Sequence, residues 1–326
     1  MPPRSSRQTG VREHKGCGLL SVSKIIEVSA PTTTVSQVKK LSILDQDIRE
    51  IKPEELIYDV PKEPFIKNDN SEIFKGEYNK FTVAIKRYAY SSGTSLSQVR
   101  SVFKKEVETM KRFESPNILR MFGIVSGPNP NYLIVMEFCE KGSLRAVLDS
   151  QRKLPWDRKA RLSLDAAQGI YRLHQSEEKF KVHGCINSSR FLVDAGYRVK
   201  LAYFELAQTE TSLKRTKDRK RRSLCYSSPQ QLESVNHPYN KACEMYSFGV
   251  VLWEIATCKI PFKDCSRKEV YQMVCKDKYT EPLPEDCPQL LGELINNCRS
   301  YDSFYRPTAG VLVDKLCNVV EQLGED

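Results

Sequence analysis

The sequence predicts an α+β fold in which a small, β-rich lobe is followed by a larger, helical lobe. Two observations lead to this prediction. Apolar and β-branched residues alternate in short runs between residues 81 and 137, which indicates strands around one inserted helix. After Gly142, apolar residues recur mainly at helical spacing. A cleft between two such lobes is where a ligand is expected to bind.

The elements of the smaller lobe follow in chain order. Residues 81–86, 118–125 and 132–137 each predict a strand. The turn at residues 126–131 is rich in Gly, Pro and Asn. An amphipathic helix is predicted from a stripe of apolar residues at helical spacing, Val99, Phe103, Val107 and Met110.

The larger lobe is predicted from two helical patterns. Residues 248–255 are apolar on all sides, as in a helix buried within a core. The other pattern is a stripe along one helix face, formed by Leu162, Ala166, Ile170 and Leu173.

The N-terminal region differs from both lobes in composition. Residues 1–63 are predicted to form a flexible tail, and residues 64–322 to form the folded domain. Within the tail, a short helix is predicted because four apolar residues roughly share one face: Leu44, Ile48, Ile51 and Leu56.

The net charge of +10 over 326 residues is concentrated in one segment. This basic run, residues 214–223, contains seven basic residues, one acidic residue and no aromatic residue. A nucleic-acid-binding surface would place its basic residues on a folded face, so no nucleic-acid partner is predicted. A solvated loop, a contact with an acidic surface and a kinase docking site all remain open for the basic run.

Cysteine usage and hydropathy indicate the cellular compartment. The 11 cysteines are an odd, dispersed set without CxxC spacing, and the chain has only four histidines. This pattern is typical of reduced thiols in a cytoplasmic protein and predicts no metal site. Neither a signal peptide nor an apolar run long enough to span a membrane is found in the sequence. We therefore expect a cytoplasmic protein without membrane insertion.

Five motifs resemble those of protein kinases and occur in the kinase order. Val83-Ala84-Ile85-Lys86 matches the strand whose Lys pairs with nucleotide phosphates, and Glu106 matches the helix carboxylate that holds this Lys. Residues 137–144 resemble the hinge, residues 246–254 resemble the buried helix, and Arg306 matches a late structural arginine. The resemblance implies a bilobal protein-kinase fold.

The positions that carry catalysis depart from the kinase pattern. Cys185 stands where the family has the catalytic Asp, Arg190 where it has the metal-binding Asn, and Tyr203 where it has the metal-binding Asp. The Gly-rich loop is also missing, because Gly76 is the only glycine between residues 65 and 83. Loss of the base, both metal ligands and the phosphate cradle predicts a pseudokinase without catalytic residues or a bound metal.

The resemblance also implies where a nucleotide would sit. Met136 would be the gatekeeper, and Lys86 would pair with Glu106 or Glu205 as a conformational latch. The structural contacts expected elsewhere are a hydrogen bond between Gln230 and Arg306 and a stack of His183 and Phe204 with Met110. No cofactor is required, and weak, metal-independent ATP binding and a purely structural role for Lys86 both remain open. The implied nucleotide-binding residues are Lys86, Glu106, Met136, Glu137, Cys139, Leu192 and Glu205.

Hydroxyl side chains in and after the basic run are candidate phosphosites. A phosphate there could pair with neighbouring arginines and order the segment. The alternative is that they are ordinary polar residues of a loop. The candidates are Thr216, Ser223, Ser227 and Ser228.

A narrower resemblance is carried by residues 106–123, 169–174, 199–206 and 252–257. Together with the altered motifs at Cys185 and Tyr203, these segments resemble the mixed lineage kinase domain-like family of necroptosis pseudokinases. The resemblance implies that the chain binds the kinase domain of the necroptotic receptor-interacting protein kinase.

The same resemblance leads to an expected inhibitory role. Executors of the family carry an N-terminal four-helix bundle that permeabilises membranes, and about 60 residues before the kinase-like domain are too few for one. We therefore expect a decoy that inhibits necroptosis, resembling truncated poxvirus-encoded relatives that act in the host cytoplasm. The alternatives are a host effector isoform of this family and an atypical active Ser/Thr kinase.

Overall fold

The computed structural model describes residues 48–57, 64–68, 71–88, 95–126, 132–151, 153–175, 181–204, 208–209, 224–234 and 236–324. All of these residues belong to the second of two structural units, residues 42–326. The first part of the predicted tail, residues 1–47, lies outside the described residues, as do residues 58–63.

An antiparallel sheet forms the smaller lobe. Its described strands are β1 (Leu56–Ile57), β2 (Ile66–Asn68), β3 (Ser71–Tyr78), β4 (Phe81–Tyr88), β5 (Met121–Ser126) and β6 (Tyr132–Glu137). They lie in the spatial order β1-β3-β4-β6-β5, and β2 pairs with β3. The three predicted strands are thus confirmed as β4, β5 and β6, with β5 beginning at Met121 instead of residue 118.

A two-residue turn joins β3 to β4. Asn79 and Lys80 have φ angles of 49° and 67°, the left-handed conformation that a type I′ hairpin turn requires. The turn fixes the register in which Ile73 lies opposite Lys86. This register places both residues in the wall of the cavity described below.

Helix α1 (Leu96–Arg112) confirms the predicted amphipathic helix. Ser95 caps its N-terminus, because its Oγ accepts from the Gln98 amide at 3.3 Å and the Gln98 side chain accepts from the Ser95 amide at 3.0 Å. Its buried face packs against β5 and β6. That face comprises the predicted stripe, Val99, Phe103, Val107 and Met110.

Residues 44–47 of the predicted short helix lie outside the described residues, and within residues 48–57 Pro53–Glu55 form a single 3-10 turn instead of an amphipathic helix. The Ile51 amide donates to the Ile124 carbonyl at 2.8 Å, and the Ile124 amide donates to the Arg49 carbonyl at 3.0 Å, so this segment runs alongside β5. Gly123 permits the approach, since a Cβ there would lie 2.5 Å from the Arg49 carbonyl oxygen. Ile51 and Leu56 of this segment are buried by the sheet, which therefore begins upstream of residue 64.

The larger lobe is mainly helical. Its described helices are α2 (Leu144–Ser150), α3 (Trp156–His174), α4 (Pro229–Glu233), α5 (Lys241–Thr257), α6 (Arg267–Tyr271), α7 (Gln289–Cys298) and α8 (Ala309–Gly324). Short strands form two pairs, β7 (Lys181–Val182) with β10 (Gln208–Thr209) and β8 (Phe191–Val193) with β9 (Val199–Leu201). Within the described ranges, no helix combines the length and apolarity needed to cross a membrane.

One hydrophobic core connects the two lobes. It contains Phe103 of α1, Phe204 after β9 and Phe248 of α5, and each of these rings is 0% exposed. Both predicted helical patterns are confirmed, because the stripe of α3 is buried and α5 is buried along most of its length. The predicted bilobal α+β fold is therefore the observed one.

Candidate functional site

A cavity of about 310 Å³ lies between the smaller lobe and the start of the larger lobe. Six of the seven residues predicted to contact a nucleotide line it: Lys86, Glu106, Met136, Glu137, Cys139 and Leu192. The seventh, Glu205, lies outside the described residues. The cavity corresponds in size to a small-molecule site.

The wall also contains residues that the sequence did not single out for binding. Ile73 and Ala84 come from the paired strands β3 and β4, and Phe65 and Phe138 close the cavity near the hinge. Tyr203, predicted only as an altered catalytic position, is part of the wall as well. Ala84 could have been predicted as a lining residue, because it lies two residues before Lys86 and alternate residues of a strand share one face. No feature of the sequence marked Phe65.

Lys86 and Glu106 form a buried ion pair. The Lys86 Nζ donates to Glu106 Oε1 at 2.9 Å and to Oε2 at 2.8 Å, and the two side chains are 1% and 2% exposed. The Tyr88 hydroxyl donates to Glu106 Oε2 as well, and its ring packs edge-on against Phe103 of α1. The predicted pair of Lys86 and Glu106 is thus formed, and Tyr88 contacts the same carboxylate.

Arg190 contacts the other two altered catalytic positions. The Arg190 guanidinium lies 5.4 Å from the centre of the Tyr203 ring and donates from Nη2 to the Cys185 Sγ at 3.8 Å. The Tyr203 ring also lies near the Lys86 ammonium, whose Nζ is 6.0 Å from the ring centre. A permanent cation and an aromatic ring thus fill the region where a kinase would place its catalytic and metal-binding oxygens.

Backbone contacts fix these side chains in place. The Ala202 amide donates to the Arg190 carbonyl at 2.9 Å, and Tyr203 has a left-handed φ of 66°. His183 contacts the Ala202 carbonyl through Nε2 at 2.8 Å, and its ring lies 5.5 Å from that of Phe204. The predicted contact of His183 with Phe204 is present, although the ring planes are tilted by 60° and not stacked, and Met110 is buried in the same core as Phe204.

A buried carboxylate holds the loop that contains Cys185. Glu244 accepts from the His183 and Gly184 amides, both at 2.9 Å. It also contacts His174 Nε2 at 3.0 Å and accepts from the Tyr239 hydroxyl at 2.8 Å. Burial acts to raise the pKa of Glu244, but these hydrogen bonds and the nearby histidines outweigh it and lower the pKa to about 2.

The hinge side of the cavity is apolar. Met136 is 4% exposed, and burial raises the pKa of Cys139 to about 12, so its thiol stays protonated. Both oxygens of the Glu137 carboxylate already have protein partners, because one accepts from the Arg120 backbone amide at 2.6 Å and the other pairs with Lys200 at 3.0 Å. The hinge side can therefore hold a planar, largely apolar group.

Few positive charges face this cavity. Among its lining residues, Lys86 is a cation and Glu106, Glu137 and Glu140 are carboxylates. In the described part of the chain, no group of three or more His, Cys, Asp or Glu side chains is arranged to hold a metal ion. The lining provides little to neutralise a triphosphate.

The predicted phosphosites are only partly described. Thr216, Ser223 and the whole basic run lie outside the described residues. Ser227 is half-buried, but Ser228 is 0% exposed and its Oγ lies 3.4 Å from both Gln231 Oε1 and Cys243 Sγ. Burial argues against modification of Ser228 in this conformation.

Two contacts anchor the segment that follows the basic run. Arg306 Nη2 donates to Gln230 Oε1 at 2.7 Å, which confirms the predicted bond. The Tyr226 hydroxyl donates to the buried carboxylate of Glu254 at 2.9 Å, and Arg145 donates to the same carboxylate at 2.8 Å. This end of the segment is therefore fixed to the larger lobe.

Comparison with known families identifies a match over most of the chain. Residues 66–316 match the family described as protein tyrosine and serine/threonine kinase.

Individual relatives are similar over most of this chain. It is 45% identical over 284 residues to the mixed lineage kinase domain-like protein of Homo sapiens, which covers 84% of this chain and 59% of that protein. The same protein of Mus musculus is 44% identical over 274 residues, covering 80% of this chain and 57% of that protein. The dual specificity protein kinase shkC of Dictyostelium discoideum is 32% identical over 275 residues, which cover 83% of this chain and 53% of that protein. The chain thus spans less than two thirds of the length of these relatives.

Proposed function

Since the chain belongs to the protein tyrosine and serine/threonine kinase family, we propose that it is a pseudokinase, a member that keeps the fold without transferring phosphate. The observation that carries this proposal is the contact of Arg190 with both Tyr203 and Cys185. Phosphoryl transfer depends on metal ions that neutralise charge and on a base that accepts the substrate proton. At these positions the chain presents a cation, an aromatic ring and a thiol.

The second candidate function is an atypical active kinase. Two observations favour it: the intact ion pair between Lys86 and Glu106, and the similarity to a relative named as a dual specificity kinase. The ion pair, however, positions a nucleotide and supplies neither a base nor a metal ligand. We therefore retain the pseudokinase as the better-supported function.

The pseudokinase proposal includes a restricted nucleotide site. The apolar hinge side suits an adenine ring, while the Arg190 guanidinium beside Tyr203 repels a divalent cation and can contact phosphate oxygens directly. ATP binding, where it occurs, is then weak and independent of metal. The site needs no cofactor.

A thermal-shift titration of ATP with and without Mg²⁺ tests this site. We expect any stabilisation by ATP to be no larger with Mg²⁺ than without it. The matched variant Arg190→Asn/Tyr203→Asp restores the oxygen ligands of the kinase pattern and should gain a Mg²⁺-dependent shift. A shift of the unmodified protein that grows with Mg²⁺ would contradict the proposal.

The wider proposal concerns necroptosis. The similarity to the mixed lineage kinase domain-like proteins supports a pseudokinase that acts in this pathway. We extend it to binding of the kinase domain of the necroptotic receptor-interacting protein kinase and to inhibition of necroptosis as a cytoplasmic decoy. The surface proposed for this contact includes α1, which the buried pair of Lys86 and Glu106 holds in position. A viral origin and a host effector isoform are the alternatives within this proposal.

Expression in cells that receive a necroptotic stimulus separates these roles. A decoy co-precipitates the kinase and protects the cells, whereas an effector kills them without a stimulus. Val102 is an exposed apolar residue of α1, so Val102→Glu should weaken the contact without disturbing the core. Val311→Glu, at an exposed apolar residue of α8 in the larger lobe, serves as the matched control. Absence of the kinase from the precipitate, together with unchanged survival, would refute the necroptotic role while leaving the pseudokinase assignment intact.

A further inference from the structure

We propose that a second cavity, beside the sheet of the smaller lobe, binds a small phosphate anion. This cavity has a volume of about 190 Å³ and shares only Leu119 with the lining of the larger cavity described above. Its wall is formed by Ile48 and Arg49, by Tyr78 at the end of β3, by residues at and just after the C-terminal end of α1, and by residues 119–123. It is therefore a separate site, and its ligand does not depend on the pseudokinase proposal.

The lining of this second cavity is strongly basic. Arg49, Lys111 and Arg120 are exposed cations, and Glu114 is the lining carboxylate, which gives a net charge of +2. No ion pair neutralises any of the three cations among the described residues. A phosphate dianion matches this charge, whereas a single carboxylate leaves half of it unbalanced.

Two aromatic rings hold the arginines in position. The Arg49 guanidinium lies 5.5 Å from the centre of the Tyr78 ring, and the Arg120 guanidinium lies 5.5 Å from the centre of the Phe122 ring. The two rings are themselves 6.5 Å apart. Each ring contacts one guanidinium, so two positive charges lie near two neighbouring rings. Planar guanidinium groups bind phosphate through paired hydrogen bonds. An anion between them would relieve the repulsion.

The Tyr78 hydroxyl supplies an independent indication of a ligand. Tyr78 is 5% exposed, and its hydroxyl has no hydrogen-bond partner among the described residues. A buried hydroxyl without a partner is destabilising, so such groups normally find one. An oxygen of a bound anion, reached directly or through a water molecule, would provide the missing acceptor.

The local backbone makes this cavity a fixed site. Hydrogen bonds between Ile51 and Ile124 and between Ile124 and Arg49 hold the Arg49 segment against β5. The close packing at Gly123 leaves this segment little freedom to shift. A volume of about 190 Å³ is below the range of about 300–1,000 Å³ typical of drug-sized ligands. The size therefore favours inorganic phosphate or a small phosphomonoester over a nucleotide.

Isothermal titration calorimetry with inorganic phosphate and with phenyl phosphate tests the proposal on the full chain. We expect saturable binding of both probes, weakened at least about tenfold in Arg49→Gln/Arg120→Gln because two charge-assisted contacts are lost. Tyr78→Phe should weaken binding less and should leave the far-ultraviolet circular dichroism unchanged. The matched control is Arg158→Gln, since Arg158 stacks on Tyr197 at 4.5 Å outside this cavity; its affinity should equal that of the unmodified protein.

Three outcomes would overturn the proposal. The first is no saturable binding by the unmodified protein at physiological salt. The second is equal affinity in Arg49→Gln/Arg120→Gln and in Arg158→Gln, which would show only nonspecific attraction to a basic protein. The third is binding that survives in Arg49→Gln/Arg120→Gln and disappears in Lys86→Met while circular dichroism shows Lys86→Met to be folded, which would place the anion in the larger cavity.

Discussion

The Arg190 guanidinium packs on the Tyr203 ring at 5.4 Å, so the residues that stand at two metal-binding positions of the kinase pattern stabilise each other. Substitution of both positions has therefore produced a new contact, not just the loss of ligands. Cys185 joins this contact through the Arg190 Nη2 at 3.8 Å. Arg190 thus contacts both other altered positions, and replacing it by the Asn of the kinase pattern would remove both contacts.

The first prediction concerns the buried ion pair. Lys86→Met leaves the Glu106 carboxylate buried with Tyr88 but without its cation, so the free energy of unfolding should fall by about 3–5 kcal/mol. Lys86→Met/Glu106→Gln removes both charges and should recover part of this loss. Urea unfolding followed by circular dichroism measures both effects.

An exposed ion pair provides the control for this prediction. Lys67 is 75% exposed and lies 3.7 Å from Glu72, so Lys67→Met should change the unfolding free energy by less than about 1 kcal/mol. Equal losses in Lys67→Met and Lys86→Met would show that the buried pair has no special role in stability.

The second prediction concerns acid stability. The pKa of Glu244 is lowered in the folded protein to about 2 from an ordinary value of 4.5. Because the folded-state pKa is depressed, the stabilisation is fully present above about pH 5 and is lost as the pH falls towards 2, by on the order of 3 kcal/mol. Unfolding free energies of the unmodified protein should therefore drop over this window.

Glu244→Gln tests the assignment of this pH dependence. The variant should be less stable at pH 7 and should lose less stability between pH 5 and pH 3 than the unmodified protein. Glu108→Gln, at an exposed position of α1, should retain the original pH profile. An unchanged acid dependence in Glu244→Gln would assign the effect to other groups.

The third prediction concerns Gly123. A Cβ at this position would lie 2.5 Å from the Arg49 carbonyl oxygen and 2.9 Å from the Ile51 side chain. Gly123→Ala should therefore displace the segment along β5 and lower the midpoint of thermal unfolding, at a cost of about 1–3 kcal/mol. The control is Gly196→Ala, where the nearest atom is 3.5 Å away and the midpoint should change little. Equal midpoints for the two variants would contradict the close packing of this segment.

The fold and much of the candidate site were predictable because kinase motifs fix both chemistry and position. Lys86 and Glu106 are far apart in sequence, yet their motifs place them on β4 and on α1, and the structure brings them within 2.8 Å. The contact of Arg190 with Tyr203 was not predictable, since it depends on side-chain packing between two loops. Tyr88 was missed for the same reason, because no motif marks it.

The tail shows where periodicity misleads. Leu44, Ile48, Ile51 and Leu56 match a helical stripe, but Ile51 and Leu56 are buried by the sheet of the smaller lobe. Four apolar residues cannot distinguish a helix face from a segment that follows a strand edge. Gly123, on the partner strand, decides the outcome through close backbone contact, which the local pattern does not contain.

The absence of phosphoryl transfer is the central claim, and transfer from γ-³²P-labelled ATP to the protein itself and to a generic substrate tests it most directly. The reaction is run with Mg²⁺ and with Mn²⁺, beside Lys86→Met as the control for contaminating kinases. Because the base and both metal ligands are replaced, we expect incorporation no higher than in Lys86→Met, consistent with a barrier raised by about 1.4 kcal/mol for each tenfold loss in rate. Incorporation by the unmodified protein that Lys86→Met abolishes would contradict the account.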